Sequence, residues 1–460
     1  MLQNRIKTAY GIYALYAIIF VVIASKGITT YQPGDENVYY YMGQLVAEGK
    51  LPYQDFFYAH PPLHIYLLSL IYVIFGFNII IFKSVPLILN LATSFFIFKL
   101  AKEKFGDYEA LLSSLLFLFS YSIMFNSIFS FGIELASVLL VIGIYLSLIK
   151  KNYILSGIFF GLASIARLLS LVPIGIILVV VLFSNKKNFL KLLSAFLFVF
   201  LLVNGVFFML LGNIYIEDVY KYHLLKSYDS RENLSEYLDI IKLNWILFFS
   251  ALLFIFLKYK KPIRLFAIIS VAYLTLLFFL KNIFGFYFMI AFPFLAVMGG
   301  YSIINIIRMF NLKKKLVIAL SFALILAFLW NLTADILFLY RIGFVGFERG
   351  NDIADFININ SRTNTLIFGD DSVAPLLALL TGKKIANDFV DTNNQVFISG
   401  VRNLNDTLKD LKGRDVLFII RDRQGISYFN EVKSFLNNNC GFLSRFYDKI
   451  EGGYLIYRCS

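Results

Sequence analysis

The 460 residues are 59% hydrophobic and 15% charged, with a mean hydropathy of +0.75. Soluble domains average about 25% charged residues, so the composition excludes a water-soluble globular protein for most of the chain. A formal charge of +13 would suggest nucleic acid in a soluble protein, but here the basic residues sit in short clusters between apolar runs, a membrane-topology pattern that leaves no basic face for nucleic acid.

Arg5 and Lys7 precede an apolar run from Thr8 to Ala24. No small-x-small cleavage site follows and further spans come later, so the run reads as an uncleaved first helix rather than a signal peptide. Pro61–Phe77 is ambiguous. It barely reaches across a thin bilayer, and it also suits a helix lying on the surface. Charge arbitrates. If it does not cross, the next spans are 79–98, 108–125, 131–149, 152–166, 168–184, 188–211, 243–257, 262–280, 283–306 and 315–340. The cytoplasmic connections then hold Lys99, Lys102 and Lys104; Lys150 and Lys151; Lys186 and Lys187; Lys258, Lys260, Lys261 and Arg264; and Arg308, Lys313, Lys314 and Lys315. If it crosses, every dense cluster is external. The positive-inside rule selects the first arrangement, with about eleven spans and a cytoplasmic N-terminus. The pair 152–166 and 168–184 must then turn back at Arg167; one long helix is the competing reading, and it breaks the charge rule.

Two segments stay on the outer face, 26–78 with its interfacial helices and 212–242. After a transmembrane domain covering 1–344 the composition changes. Strand-like runs (Thr365–Phe368, Val416–Ile420, Tyr454–Tyr457) alternate with helical patterns (Asp352–Ile359, Ala374–Leu380, Leu404–Leu411, Tyr428–Leu436). Residues 345–460 therefore read as a soluble extracytoplasmic α/β domain. Gly369-Asp370-Asp371 ends a predicted strand, where such domains often place ligands, although a loop with a helix-capping Asp fits better. Cys440 and Cys459 are either bridged or two buried thiols. Asn233, Asn331 and Asn405 stand in Asn-x-Ser/Thr patterns, and Asn331 falls inside a span.

Asp35 and Glu36 follow Pro33-Gly34 just beyond the first span. They read either as a helix cap and first turn or as a general base for an acceptor hydroxyl. His60 and His64 are spaced i, i+4, but with 3 His and no dense ligand cluster no metal site is expected. His60 otherwise suits an anionic phosphate or an interfacial helix start. Glu134 is an intramembrane carboxylate, costly unless it has a partner or a task. Arg167 offers a guanidinium fork to phosphate oxygens, and Lys281 closes an apolar span before Tyr287. Under the charge-derived topology Asp35, Glu36, His60, Glu134, Arg167, His223 and Lys281 all fall on the outer half. Carboxylates, cations and aromatic walls at that depth suit a polyisoprenyl-phosphate donor embedded in membrane lipids.

Gly34-Asp35-Glu36, then a helix, then His60-Pro61-Pro62-Leu63, resembles the first outer loop of the GT-C glycosyltransferases, in the branch of protein O-mannosyltransferases and lipid A aminoarabinose transferases. Gly161-Leu162-Ala163-Ser164-Ile165-Ala166-Arg167 and Phe286 to Pro293 resemble further segments of that branch, and Glu134 falls where it often has an Asp. The resemblance covers roughly residues 8–310. It implies an α-helical polytopic GT-C fold and inverting transfer of a sugar from a polyprenyl or dolichyl phosphate to a protein, glycan or lipid acceptor outside the cytoplasm. Asp35 is the implied base with Glu36 beside it, and Glu134 positions donor or acceptor. His60, Arg167 and Lys281 hold phosphate, and His223 and Tyr287 complete the substrate-binding set. No cofactor is implied. Ala59 stands where the branch usually has an acidic residue, which weakens any carried-over metal site. A lipid-linked sugar transporter or flippase and a non-catalytic membrane receptor are the competing readings. No internal repeat supports the former, and the latter would use 345–460 to bind a ligand.

Overall fold

A computed structural model describes residues 2–227, 230–257, 261–309, 314–347, 349–449 and 452–460. Asp229, Lys258, Lys260 and Lys313 lie outside the described residues, as do the side chains of Arg5, Glu232, Lys261, Lys314 and Lys315. Most of the chain is helical, because apolar segments with no water to bond their backbone must satisfy it internally.

Among the described residues six helices are long and apolar enough to cross a membrane: Lys7–Ile28, Ile79–Lys104, Ile133–Lys150, Lys186–Leu211, Phe292–Met309 and Ile325–Gly343. A seventh forms if Asn233–Leu243 and Trp245–Phe256, bent by 81°, act as one span. The expected count near eleven is therefore not met by length alone, and the shortfall has identifiable causes. The segment expected at 108–125 breaks after Leu118 and resumes at Tyr121. Tyr153–Ala166, Leu168–Ser184 and Ile263–Phe279 are apolar but short. At 1.5 Å per residue, a 14-residue helix reaches roughly 21 Å against a hydrocarbon core of about 30 Å. The single long helix through Arg167 does not form: Arg167 is extended (φ −152°, ψ 127°) and ends the helix that precedes it.

The chain divides into two units. The first holds Met1–Ile28, Lys83–Gly205 and Asp229–Phe344. Its helices approach through small residues. Tyr153–Ala166 lies so close to Lys186–Leu211 that a Cβ on Gly157 would sit 2.4 Å from the Leu192 carbonyl oxygen, and one on Gly161 2.6 Å from Val199 Cβ. Buried serines donate to carbonyls of their own helices, as Ser114 to Ala110 and Ser164 to Gly161. Lys83, fully buried, reaches the Gly27 carbonyl at 3.3 Å and lies over the Phe129 ring. Phe198, Leu201 and Leu202 on the long Lys186–Leu211 helix are exposed, as a lipid-facing stripe requires.

The second unit holds Thr29–Phe82, Val206–Tyr228 and Val345–Ser460, so the segments between spans group with the C-terminal residues, across the sequence boundary at 344. Helix α1 (Leu2–Ile28) is followed by α2 (Asp35–Ala47) and α3 (Leu63–Phe75). The latter two pack where Gly43 admits Leu68. The 13 residues of α3 reach roughly 20 Å, too short to cross an ordinary bilayer.

The C-terminal residues form a four-stranded sheet in the order β1-β2-β4-β3. Strand β1 (Leu366–Gly369) runs parallel to β2 (Val416–Arg421); β4 (Gly452–Cys459) is antiparallel to both β2 and β3 (Cys440–Asp448). Phe368, Val416, Phe418, Ile420, Val432 and Leu436 fill its core. Three strands lie within a few residues of the runs read from sequence. The edge strand β3 was not anticipated, since its residues are mostly exposed and lack a clean alternation. Cys440 and Cys459 are register partners and form a disulfide, which resolves the open alternative.

Candidate functional site

The second unit gathers the carboxylates. Helix α2 begins at Asp35, with Gly34 as an extended N-cap (φ 169°, ψ 169°), so Asp35 and Glu36 occupy the first turn and neither is the cap itself. Their charge faces the positive end of the helix dipole. Glu36 is buried and folds back over Gly34, where an added Cβ would lie 2.3 Å from Glu36 Oε2. Asp35 remains half-buried.

This turn is tied to residues more than three hundred positions away. Gly34 N–H donates to the Ser372 carbonyl at 3.0 Å. Asn37 Nδ2 lies 2.7 Å from the Gln32 carbonyl oxygen, 3.2 Å from that of Gly34 and 3.3 Å from that of Ser372. Ser372 is itself held from behind. Its N–H and hydroxyl donate to Asp370 Oδ1 at 3.2 and 2.5 Å, and Arg421 Nε donates to the same oxygen at 3.0 Å. Asp370 is fully buried just after β1, where Gly369 passes so near β2 that a Cβ would meet the Ile419 carbonyl oxygen at 1.7 Å.

Two further acids lie within electrostatic reach of Asp35. Burial pushes the Asp371 carboxyl well up, and the charges of Asp370, Asp391 and Asp35 add to this against Arg421. Burial also raises Asp391, with Asp35 adding, while the Asn393 N–H and Lys226 pull the other way. Sequence reading missed Asp391 and Lys226 and discounted Asp371. The only signal was the placement of Gly369-Asp370-Asp371 at a strand end.

His60 and His223 meet. Their rings stack at 5.5 Å with a 23° interplanar angle. His223 Nε2 donates to the Ala59 carbonyl at 2.7 Å, His60 Nε2 lies 3.1 Å from the Tyr39 hydroxyl, and Tyr53 donates to the His60 carbonyl at 2.8 Å. His64 is buried against the Tyr39 ring. His60 precedes α3, so the i, i+4 spacing does not put both imidazoles on one helix face. Among the described residues no group of three or more His, Cys, Asp or Glu is placed to hold a metal ion. Nearby in the same unit, Asp218 is fully buried and pairs with Arg402 at 3.1 Å, whose guanidinium covers the Phe57 ring. Burial raises the Asp218 carboxyl to about 7, although Arg402 and the Tyr58 N–H oppose the shift.

The other expected site residues belong to the first unit. Glu134 is buried in the first turn of the helix Ile133–Tyr145, entered through Gly132 at φ 75°. The backbone N–H groups of Phe131, Gly132 and Glu134 serve its carboxylate, and the buried Arg167 faces it. Lys281 is exposed, and its carbonyl accepts from Asn233. Asn233 also serves the Leu280 carbonyl and the Ile283 N–H, so this glycosylation pattern is a buried structural amide. Tyr287 is buried, its carbonyl taken by the Tyr273 hydroxyl at 2.8 Å and its ring packed on Phe284 and Phe286. Among the eight residues, Asp35 stands with Glu36, His60 with His223, and Glu134 with Arg167.

Residues 59–209 match the family model for dolichyl-phosphate-mannose-protein mannosyltransferase, a stretch that includes His60, Glu134 and Arg167 but not Asp35. The sequence matches no curated protein. The fold is similar to that of ArnT from Cupriavidus metallidurans bound to undecaprenyl phosphate, with a TM-score of 0.67 at 13% identity over 96% of this chain and 97% of that one. Its apo form gives 0.67 at 13% identity over 98% of each chain. The archaeal oligosaccharyltransferase AglB from Archaeoglobus fulgidus, in complex with an inhibitory peptide and a dolichol-phosphate, gives 0.59 at 10% identity over 97% of this chain and 74% of that one.

Proposed function

We propose that this chain, a membrane glycosyltransferase of the GT-C type related to protein mannosyltransferases and ArnT, moves a sugar from a polyprenyl or dolichyl phosphate to an extracytoplasmic acceptor with inversion. Asp35 takes the proton of the acceptor hydroxyl. The freed oxygen forms a bond to the anomeric carbon as the bond from that carbon to the phosphate oxygen breaks, and the lipid phosphate departs with the electron pair. Phosphate is a good leaving group, so the protein must supply mainly a base, alignment and positive charge.

The observation that carries the reading is the Asp35 turn: a half-buried carboxylate at a helix N-terminus, locked by backbone and Asn37 hydrogen bonds. Glu36, buried behind it, shapes the turn. The Glu134–Arg167 pair, the stacked His60 and His223, and Lys281 and Tyr287 take the substrate-holding roles. The basic clusters support an extracytoplasmic placement of the Asp35 turn and of residues 345–460. The Cys440–Cys459 disulfide supports the same side, since such bridges persist in oxidising compartments.

The test uses the purified full chain in nanodiscs with labelled undecaprenyl- and dolichyl-phosphate sugars and a membrane extract as acceptor. Labelled covalent product is expected, and it should disappear with Asp35→Asn. Transfer that survives Asp35→Asn would remove the base assignment, and movement of the labelled lipid without covalent product would mark a flippase.

A further inference from the structure

Asp370 lies outside the acid–base chemistry assigned to Asp35, yet it is the most heavily engaged carboxylate near it. One oxygen, Oδ1, receives three donors: the Ser372 N–H, the Ser372 hydroxyl and Arg421 Nε. Those bonds fix the Ser372 backbone, whose carbonyl then takes the Gly34 N–H and the Asn37 side chain. Arg421 ends β2 and Asp370 follows β1, so the anchor is built on two paired strands rather than on a free loop. The order of contacts is therefore sheet, Asp370, Ser372, Gly34 and the first turn of α2. A buried charge pair of this kind is a poor source of stability and a good source of fixed geometry.

We propose that Asp370, held by Arg421 and acting through Ser372, is a positioning residue that sets where the Asp35 carboxylate stands. The proposal rests on the reading of Asp35 as the base. It assigns the α/β residues a part in the transfer step. Asp35 is near enough to Asp371 and Asp391 for its charge to raise both carboxyls, so release of the clamp would let Asp35 retreat from two like charges. A base displaced by about 1 Å typically loses on the order of 100-fold in rate.

The experiment measures transfer from the labelled lipid-phosphate sugars for the full chain in nanodiscs, with Asp370→Asn, Ser372→Ala, Arg421→Ala and Arg421→Lys. Hydrogen exchange of the peptide covering 32–40 is followed in parallel. Asp370→Asn should lower kcat by roughly 10- to 100-fold with donor KM within about twofold, and exchange at 32–40 should speed up while that at 292–309 stays unchanged. Arg421→Lys should recover part of what Arg421→Ala loses. Ser372→Ala, which keeps the carbonyl but drops the hydroxyl bond, should show a smaller fall of the same kind and covers the case in which Asp370→Asn does not fold. Wild-type kcat in Asp370→Asn or Ser372→Ala, with Asp35→Asn inactive, would overturn the positioning role alone. An active Asp35→Asn would overturn the base reading beneath it. Equal loss in kcat and donor affinity, or faster exchange at 292–309 as well, would mark Asp370 as merely structural.

Discussion

The two units handle buried polar groups in opposite ways. In the first, many buried hydroxyls and amides turn back on the chain just before them: Ser114, Ser127, Ser164 and Asn126 all bond carbonyls three or four residues away. Its buried charges come with opposite charges or carbonyls, as Glu134 with Arg167, Glu109 with Arg308 and Lys83 with Gly27. In the second, Asp35, Asp371 and Asp391 converge from three separate stretches of chain and repel one another. Self-contained polar groups serve a span that must sit in lipid. Like charges brought together cost stability, which makes the cluster a candidate functional site rather than a source of stability.

Four measurements would break or sharpen this contrast. The largest effect is expected at the base: Asp35→Asn should reduce transfer by about 10²- to 10⁴-fold, with Glu134→Gln affecting donor KM more than kcat. Next comes the disulfide. It closes a loop of 19 residues, and reduction, or Cys440→Ser with Cys459→Ser, should destabilise the second unit by about 3 kcal/mol in denaturant unfolding while leaving the helices of the first. Arg167→Ala should raise donor KM by roughly 10- to 100-fold, as expected for loss of a charge-assisted contact. A fall in kcat with unchanged KM would instead place Arg167 with the second unit's chemistry.

The smallest effect is a slope. Asp218 titrates at about 7 in the folded chain and at about 3.9 unfolded, so between those values the folded form binds the extra proton. Stability should fall as pH rises from 4 to 7 and flatten above. Asp218→Asn should reduce that slope in thermal unfolding between pH 5 and pH 8. An unchanged slope would mean that Arg402 already holds the carboxylate ionised.

The sequence made the apolar spans, the Asp35 turn and three of the four strands legible, because hydropathy, turn residues and β-branched runs are local signals. Breaks within apolar runs were less visible. Nothing in the hydropathy of 108–125 marks the stop at Phe119-Ser120, which tertiary packing decides, as the Asn244 bonds to Ser122 illustrate. The clamp on the Asp35 turn was hidden for a different reason. Gly34 and Ser372 are joined backbone to backbone across 338 positions, and a carbonyl has no residue type to read. Tyr287 shows a further backbone link of this kind, since its carbonyl takes the Tyr273 hydroxyl while its ring packs on Phe284 and Phe286.

Gly157 and Gly161 have a mechanical consequence. They seat one helix against its neighbour at a fixed height, and Arg167 stands six residues, about 9 Å of helix, beyond the second contact. The glycines therefore work as a gauge that sets the depth and azimuth at which the guanidinium leaves the helix. One alanine inserted between Gly161 and Arg167 would turn the arginine by about 100° and lift it by about 1.5 Å, pointing it away from Glu134 with no chemical group lost.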